Sequence, residues 1–129
     1  MTPDKNPSQP SPNAKIDELV SDLGAEVAAT LVQALFDDAP ETFSQLRTHF
    51  AEGDLGSVRR IAHSFKSSGY VYGLGHVGDL AASVENAAAE GLSAELPTLL
   101  DELESNYNKG AAELITYLST RHQIQASLP

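Results

Sequence analysis

The residues best suited to chemistry lie around one histidine, His63. On a helix that turns about 100° per residue, His63 shares a polar face with Arg59, Lys66, Ser67 and Tyr70. The opposite face is apolar and holds Val58, Ile61, Ala62, Phe65, Gly69 and Tyr72. An imidazole that faces water beside cations contributes little to packing. We therefore expect this face to carry a negatively charged group.

The charge distribution favours the same interpretation. The chain has 18 acidic and 8 basic residues and a formal net charge of −10, which argues against nucleic acid or an anionic membrane as a partner. No acidic residue occurs between Asp54 and Asp79, yet Arg59, Arg60 and Lys66 lie inside that window. The window therefore indicates a local site for anions on an otherwise acidic protein.

The composition excludes several other classes of protein. The 129 residues suffice for one domain, and the absence of cysteine excludes disulfides and thiolate metal sites. No apolar run approaches the roughly 20 residues that span a bilayer. The first seven residues lack the apolar segment of a secretion signal. We therefore expect a cytoplasmic protein.

The positions that support His63 must come from helices, because the apolar residues follow helical spacing and nowhere alternate with a period of two. A short helix begins near Ile16 and stops at Gly24. The next apolar stripe, residues 27–50, is interrupted by Pro40. It predicts either a restart with Asp38 as the N-cap or one long helix with a bend.

Three further helices follow along the chain. Asp54 is the predicted N-cap of the helix that carries His63, which should end near Gly73. The next helix runs from about His76 to Gly91. The last is predicted to be capped by Ser93 and has the most regular apolar stripe of the chain.

These elements predict an all-α fold, an antiparallel up-down four-helix bundle with a short additional N-terminal helix. The bundle should occupy residues 15–121. A disordered, proline-rich tail is predicted over residues 1–14 and a C-terminal tail over residues 122–129. We expect a monomer.

A metal site is the main chemical alternative, since helical bundles often hold metals. Such sites usually place Glu and His three residues apart, or two His four apart. The four histidines, His49, His63, His76 and His122, follow neither spacing. We expect no metal site, with His49 at the surface and His122 in a fraying C-terminus. The sequence also lacks a P-loop and a nucleophile elbow.

The spacing around His63 has a specific resemblance. Residues 62–68 read Ala-His-Ser-Phe-Lys-Ser-Ser, Gly73 follows ten residues after the histidine, and Val84 and Glu85 form a later pair. This pattern resembles the signature of histidine-containing phosphotransfer (HPt) domains. The resemblance extends over roughly residues 16–120, because members of that family are four-helix bundles of this size.

The resemblance implies a role for each matching residue. His63 would accept a phosphoryl group from a receiver-domain aspartate of a hybrid histidine kinase and pass it to a response regulator. An exposed imidazole is largely neutral at cellular pH and therefore nucleophilic, and Glu85 could fix its tautomer by a hydrogen bond. Lys66 could stabilise the phosphoryl oxygens by its charge. Arg59, one turn before His63, is added on geometry alone.

Two positions depart from the usual pattern of the family. Ser67 stands where many members have glycine, and Tyr70 is bulkier than the usual small residue, so we expect both at the partner-docking surface together with Arg59. No ATP-binding motif is present, which predicts a covalent phosphocarrier rather than a kinase. No cofactor is expected here, because Mg²⁺ should reside in the receiver. An adaptor that binds a kinase or receiver without carrying phosphate remains the alternative.

Overall fold

The computed structural model describes residues 12–129, which form five helices and no strand. The helices are α1 (Pro12–Leu23), α2 (Ala25–Ala51), α3 (Leu55–Val71), α4 (Gly75–Ala89) and α5 (Leu96–His122). The predicted all-α class is confirmed for this part of the chain. None of the described helices is long and apolar enough to cross a membrane.

The first helix begins earlier than the predicted boundary at residue 15. Its first residue is Pro12, and proline is favoured there because the first turn needs no backbone N–H donor. Gly24, with a φ of 88°, separates α1 from α2 in a backbone conformation that suits glycine. Residues 1–11 of the predicted tail lie outside the described residues.

The second helix is continuous through Pro40. The predicted restart with Asp38 as an N-cap is therefore wrong, and the long-helix alternative is correct. Pro40 costs α2 one backbone hydrogen bond. The buried residues on either side, Ala39 and Phe43, keep this segment packed on the core.

The two predicted caps have different outcomes. Asp54 caps α3, because its carboxylate accepts a hydrogen bond from the Ser57 backbone N–H at 3.1 Å. Ser93 does not cap α5. It lies in a turn before the helix, whose N-cap is Glu95 without a side-chain hydrogen bond. Pro97 lies in the first turn, where it is tolerated.

The helices pack in a closed order around the core. α2 contacts α3 and α5, α4 contacts the same two helices, and α1 contacts α2. Three aromatic rings meet where α2, α3 and α5 converge: Phe43, Phe65 and Tyr107 have centroids 5.3 to 5.9 Å apart. Phe65 anchors the apolar face of α3, so the opposite face, with His63, is left to solvent.

The predicted C-terminal tail is tied to the helices. Ile124 is 5 % exposed, and Gln33 of α2 donates a hydrogen bond to the Ser127 carbonyl at 2.8 Å. His122 does not fray, because its Nε2 lies 2.7 Å from Asp17 Oδ1 of α1. The segment after α5 is therefore part of the folded unit.

Candidate functional site

The centre of the site is a hydrogen bond between α3 and α4. His63 projects from the middle of α3 with 63 % of its side chain exposed, and its Nδ1 lies 2.8 Å from Glu85 Oε2. Glu85 belongs to α4, and only 15 % of its side chain is exposed. The structure thus brings together two residues that stand 22 positions apart in the sequence.

Lys66 joins the same carboxylate from the next turn of α3. Its Nζ donates to Glu85 Oε1 at 2.8 Å, so each oxygen of Glu85 has its own partner. The hydrogen bond from Lys66, together with the weaker one from His63, holds the pKa of Glu85 below its usual range, although burial acts in the opposite direction. Glu85 is therefore ionised at neutral pH.

The ionised carboxylate decides the tautomer of His63. A carboxylate only accepts hydrogen bonds, so the Nδ1–H of His63 must donate to Glu85. The neutral ring then carries its lone pair on Nε2, which Glu85 does not contact. An exposed imidazole held in this tautomer is a nucleophile with one defined reactive atom.

A close approach of two glycines holds α3 and α4 together. A Cβ on Gly69 would lie 2.7 Å from the backbone nitrogen of Gly78, so a larger side chain at residue 69 would force the two helices apart. Gly69 precedes the end of α3 by two residues, and Gly78 precedes Glu85 by two helical turns. The contact therefore brings the backbones of α3 and α4 close together at this crossing.

The other predicted site residues do not join the Glu85 cluster. Arg59 and Ser67 are exposed on α3, and Arg59 forms no ion pair with another described residue. Tyr70 is engaged elsewhere, because its hydroxyl donates to Asp79 Oδ1 at 2.7 Å. The predicted face is thus a three-residue centre flanked by separate side chains.

Sequence reasoning missed Gly78 and Asp79. They are the fourth and fifth residues of α4, and nothing in their spacing relative to His63 marks them. The available signal was indirect: Gly69 on the apolar face of α3 indicates that something approaches its backbone closely. The identity of that neighbour follows only from the packing of the helices.

The remaining histidines lie apart from one another. His49 Nδ1 is 3.4 Å from Asp54 Oδ2 near the start of α3, His76 is exposed in the first turn of α4, and His122 bonds to Asp17. Within residues 12–129, no group of three or more His, Asp or Glu side chains is arranged to hold a metal ion.

Residues 30–119 match the family model described as Hpt domain, which covers α2 from its second turn onward and nearly all of α5. The chain belongs to the Hpt domain family. Comparison with curated proteins and with solved structures gives no match.

Membership of the family gives the chain its general function. Hpt domains are phosphocarrier modules that take part in histidine phosphotransfer in phosphorelays and interact with receiver domains. His63, Lys66 and Glu85 all lie inside the matched segment, whereas α1 precedes it. The helix α1, which carries Asp17, therefore lies outside the segment that matches the family.

Proposed function

We propose that this Hpt domain is an intermediate carrier in a multistep phosphorelay, with His63 as the phosphorylated residue. A receiver-domain aspartate of a hybrid histidine kinase supplies the phosphoryl group, and the aspartate of a response regulator takes it away. The observation that carries the proposal is the hydrogen bond between His63 Nδ1 and Glu85 on a ring that is mostly exposed.

The transfer uses the lone pair on Nε2 of His63. A nitrogen–phosphorus bond forms at Nε2 while the bond between phosphorus and the carboxylate oxygen of the donor aspartate breaks, and that carboxylate leaves as an anion. The proton on Nδ1 stays in place. The positive charge that the ring acquires is stabilised by Glu85, and the reverse sequence delivers the group to the next aspartate.

The cations near His63 have separate roles in this proposal. Lys66 holds Glu85 in position. It also lies one turn from His63, where its charge can stabilise the phosphoryl oxygens. Arg59, with no ion pair among the described residues, is available to the phosphoryl group or to the acidic site of a receiver. Ser67 leaves a low surface beside the histidine, over which the receiver can approach.

Several finer features belong to the same proposal. The four longer helices form an antiparallel up-down bundle, and the protein works as a cytoplasmic monomer. It is a carrier rather than an ATP-dependent kinase, as is general for Hpt domains, and its sequence shows no ATP-binding motif. The carboxylates of the receiver hold the Mg²⁺ that the transfer requires.

A transfer assay tests the proposal. The purified protein is incubated with a receiver domain carrying radiolabelled aspartyl phosphate, beside the His63→Gln and His76→Gln variants. His76 is a matched control, since it is also an exposed helical histidine. Label should reach the wild type and His76→Gln but not His63→Gln.

Two results would contradict the carrier function. Label that reaches His63→Gln as fast as the wild type would remove His63 from the reaction. A wild-type protein that binds receivers or kinases tightly, yet takes label from none of them, would be the adaptor of the alternative interpretation.

A further inference from the structure

Tyr70 is held in one position by two neighbouring residues of α4. Its hydroxyl donates to Asp79 Oδ1 at 2.7 Å, and its ring lies directly on Gly78. A Cβ on Gly78 would lie 2.4 Å from Cε1 of the ring and 2.6 Å from Cδ1. Only glycine at residue 78 accommodates the ring where it is. We call Gly78 and Asp79 together the tyrosine seat.

The seated ring belongs to the same face of α3 as His63. Tyr70 follows His63 by seven residues, which is two helical turns and about 10.5 Å along the axis. It remains 41 % exposed although it touches α4. Ser67, the residue between them on this face, is small, so the ring stands above the surface that separates it from the histidine.

We propose that Tyr70 is a preorganised contact for the receiver domain and that the tyrosine seat determines where the receiver docks. This inference rests on the proposed function. It adds Gly78 and Asp79 as residues that determine docking without belonging to the phosphotransfer centre.

The chemistry of transfer identifies the partner on this face. The aspartyl phosphate of the donor must reach Nε2 of His63, so the surface around the receiver's aspartate must cover the surroundings of the histidine. A standard protein interface buries about 800 Å² on each partner, which corresponds to a disc of roughly 16 Å radius. Tyr70 lies within that disc when it is centred on His63.

The charge of the face fits the acidic site of a receiver. Asp79 is the first carboxylate after the acid-free window, and the hydroxyl of Tyr70 already occupies one of its oxygens. Glu85, the carboxylate that contacts His63, has its negative charge balanced by the ammonium group of Lys66. The exposed cations Arg59 and Arg60 of α3 can therefore attract the acidic site of the receiver, although Asp79 keeps its negative charge beside Tyr70.

A ring that is fixed before binding costs less entropy when the partner arrives. Immobilising one side chain at an interface weakens binding by about 2- to 10-fold, and tyrosine is among the residues that contribute most to interfaces. The seat removes this cost in advance. Expelling the ring from the seat without changing Tyr70 itself should therefore weaken binding of the receiver about 2- to 10-fold.

The variant Gly78→Ala should expel the Tyr70 ring from the tyrosine seat. The added methyl occupies the place of the ring, and the exchange favours the helical conformation of α4. Gly75→Ala is the matched control, because a Cβ at residue 75 meets no atom within 4 Å. In single-turnover transfer from a phosphorylated receiver, Gly78→Ala should raise the half-saturating receiver concentration, here called KM, about 2- to 10-fold. The limiting rate constant at saturation, here called kcat, should be unchanged. Gly75→Ala should behave as the wild type.

The state of the seat can be read without any receiver. The hydrogen bond to Asp79 raises the pKa of the Tyr70 phenol above its usual value, so loss of the seat should lower it. An NMR titration of ¹³C-labelled tyrosine follows this group in each variant. The wild type and Gly75→Ala should keep the raised value, and Gly78→Ala should not.

Tyr70→Ala provides a test that does not depend on how the Gly78 variant folds. It should raise KM at least as much as Gly78→Ala, and the double variant should be no worse than Tyr70→Ala alone. A wild-type KM in Tyr70→Ala, or in Gly78→Ala once the seat is shown to be lost, would overturn the inference. So would a fall in kcat at unchanged KM, which would mean that the seat acts on His63 through α4. If the wild type and Gly75→Ala accept no phosphoryl group, the proposed function fails instead.

Discussion

At the scale of single residues, Glu85 is the residue that links His63 to Lys66. One oxygen orients the imidazole of His63 and the other is held by Lys66, so the carboxylate is fixed and ionised. Lys66 therefore acts on His63 through Glu85 as well as by its own charge. A carboxylate in this position selects Nε2 as the reactive nitrogen.

Truncation of Glu85 should slow transfer and leave the fold intact. Hydrogen bonds to charged groups contribute about 1.5–3 kcal/mol, so we expect Glu85→Ala to lower the rate constant for phosphotransfer about 10- to 100-fold. Glu90→Ala, an exposed change just after α4, serves as the control and should have no effect. Stopped-flow or quench-flow kinetics with one receiver measure both. An unchanged rate for Glu85→Ala would remove this residue from the site.

Some contacts of the site residues could be predicted from the sequence and others could not. His63, Lys66 and Glu85 meet in the structure, as their helical spacing and the pattern of the family indicate, and their role in phosphotransfer stays a prediction. Tyr70 was placed on the correct face, but its bond to Asp79 was not expected. That bond depends on the distance between α3 and α4, which is set by the contact of Gly69 with Gly78. A sequence shows a glycine but not the atoms that approach it.

Among the helices, the sequence predicted a helix start correctly where a single capping side chain determines it. Asp54 begins α3 because its carboxylate can accept the Ser57 N–H. Ser93 and Asp38 have the same capping chemistry and cap nothing. For Asp38, packing of the buried side of α2 keeps the helix continuous through Pro40. Burial of a long apolar stripe outweighs one cap and one lost backbone hydrogen bond.

The aromatic cluster that supports α3 contains a polar group without a partner. Tyr107 is 3 % exposed, its hydroxyl has no hydrogen-bond partner among the described residues, and burial raises its pKa to about 12. Removing an unsatisfied buried hydroxyl removes its desolvation penalty. Tyr107→Phe should therefore raise the free energy of unfolding by about 1 kcal/mol in urea denaturation.

Tyr117→Phe is the matched control for this prediction. The hydroxyl of Tyr117 donates to Asp17 at 2.7 Å, so its loss should lower the free energy of unfolding. Opposite signs for the two Tyr→Phe changes are the expected result. A clear loss of stability in Tyr107→Phe would mean that the buried hydroxyl has a partner.

At the scale of the whole molecule, α1 is fastened to the far end of the chain. Asp17 Oδ1 accepts hydrogen bonds from the Tyr117 hydroxyl and from His122 Nε2, both at 2.7 Å. These bonds hold the pKa of Asp17 below its usual range. Their contribution to stability is thus present above the ordinary pKa of an aspartate and is lost as the pH falls through the lowered value.

Loosening this attachment should affect α1 and leave phosphotransfer unchanged, since α1 lies outside the segment that matches the family. We expect Asp17→Asn to speed backbone hydrogen exchange in α1 at neutral pH, while exchange in α4 stays as in the wild type. Glu18→Gln, the exposed neighbouring change, should have no effect. Equal exchange in Asp17→Asn and the wild type would mean that α1 is held by its apolar contacts with α2 alone.

The charge pattern is also a property of the whole molecule. A net charge of −10 disfavours binding to nucleic acids and anionic surfaces, while the acid-free window between Asp54 and Asp79 lowers the density of negative charge along α3. Both features were readable from the sequence. The C-terminal residues were not, because the contacts of Ile124 and Ser127 with the rest of the molecule depend on how α5 ends.

The central claim is that Nε2 of His63 carries the phosphoryl group. Its most direct test is NMR of the protein labelled with ¹⁵N-histidine and phosphorylated by a receiver, in which ¹⁵N–³¹P coupling identifies the bonded nitrogen. We expect a single phosphohistidine, with phosphorus on Nε2 of His63 and a proton retained on Nδ1. Phosphorus on Nδ1, or on any other histidine, would contradict it.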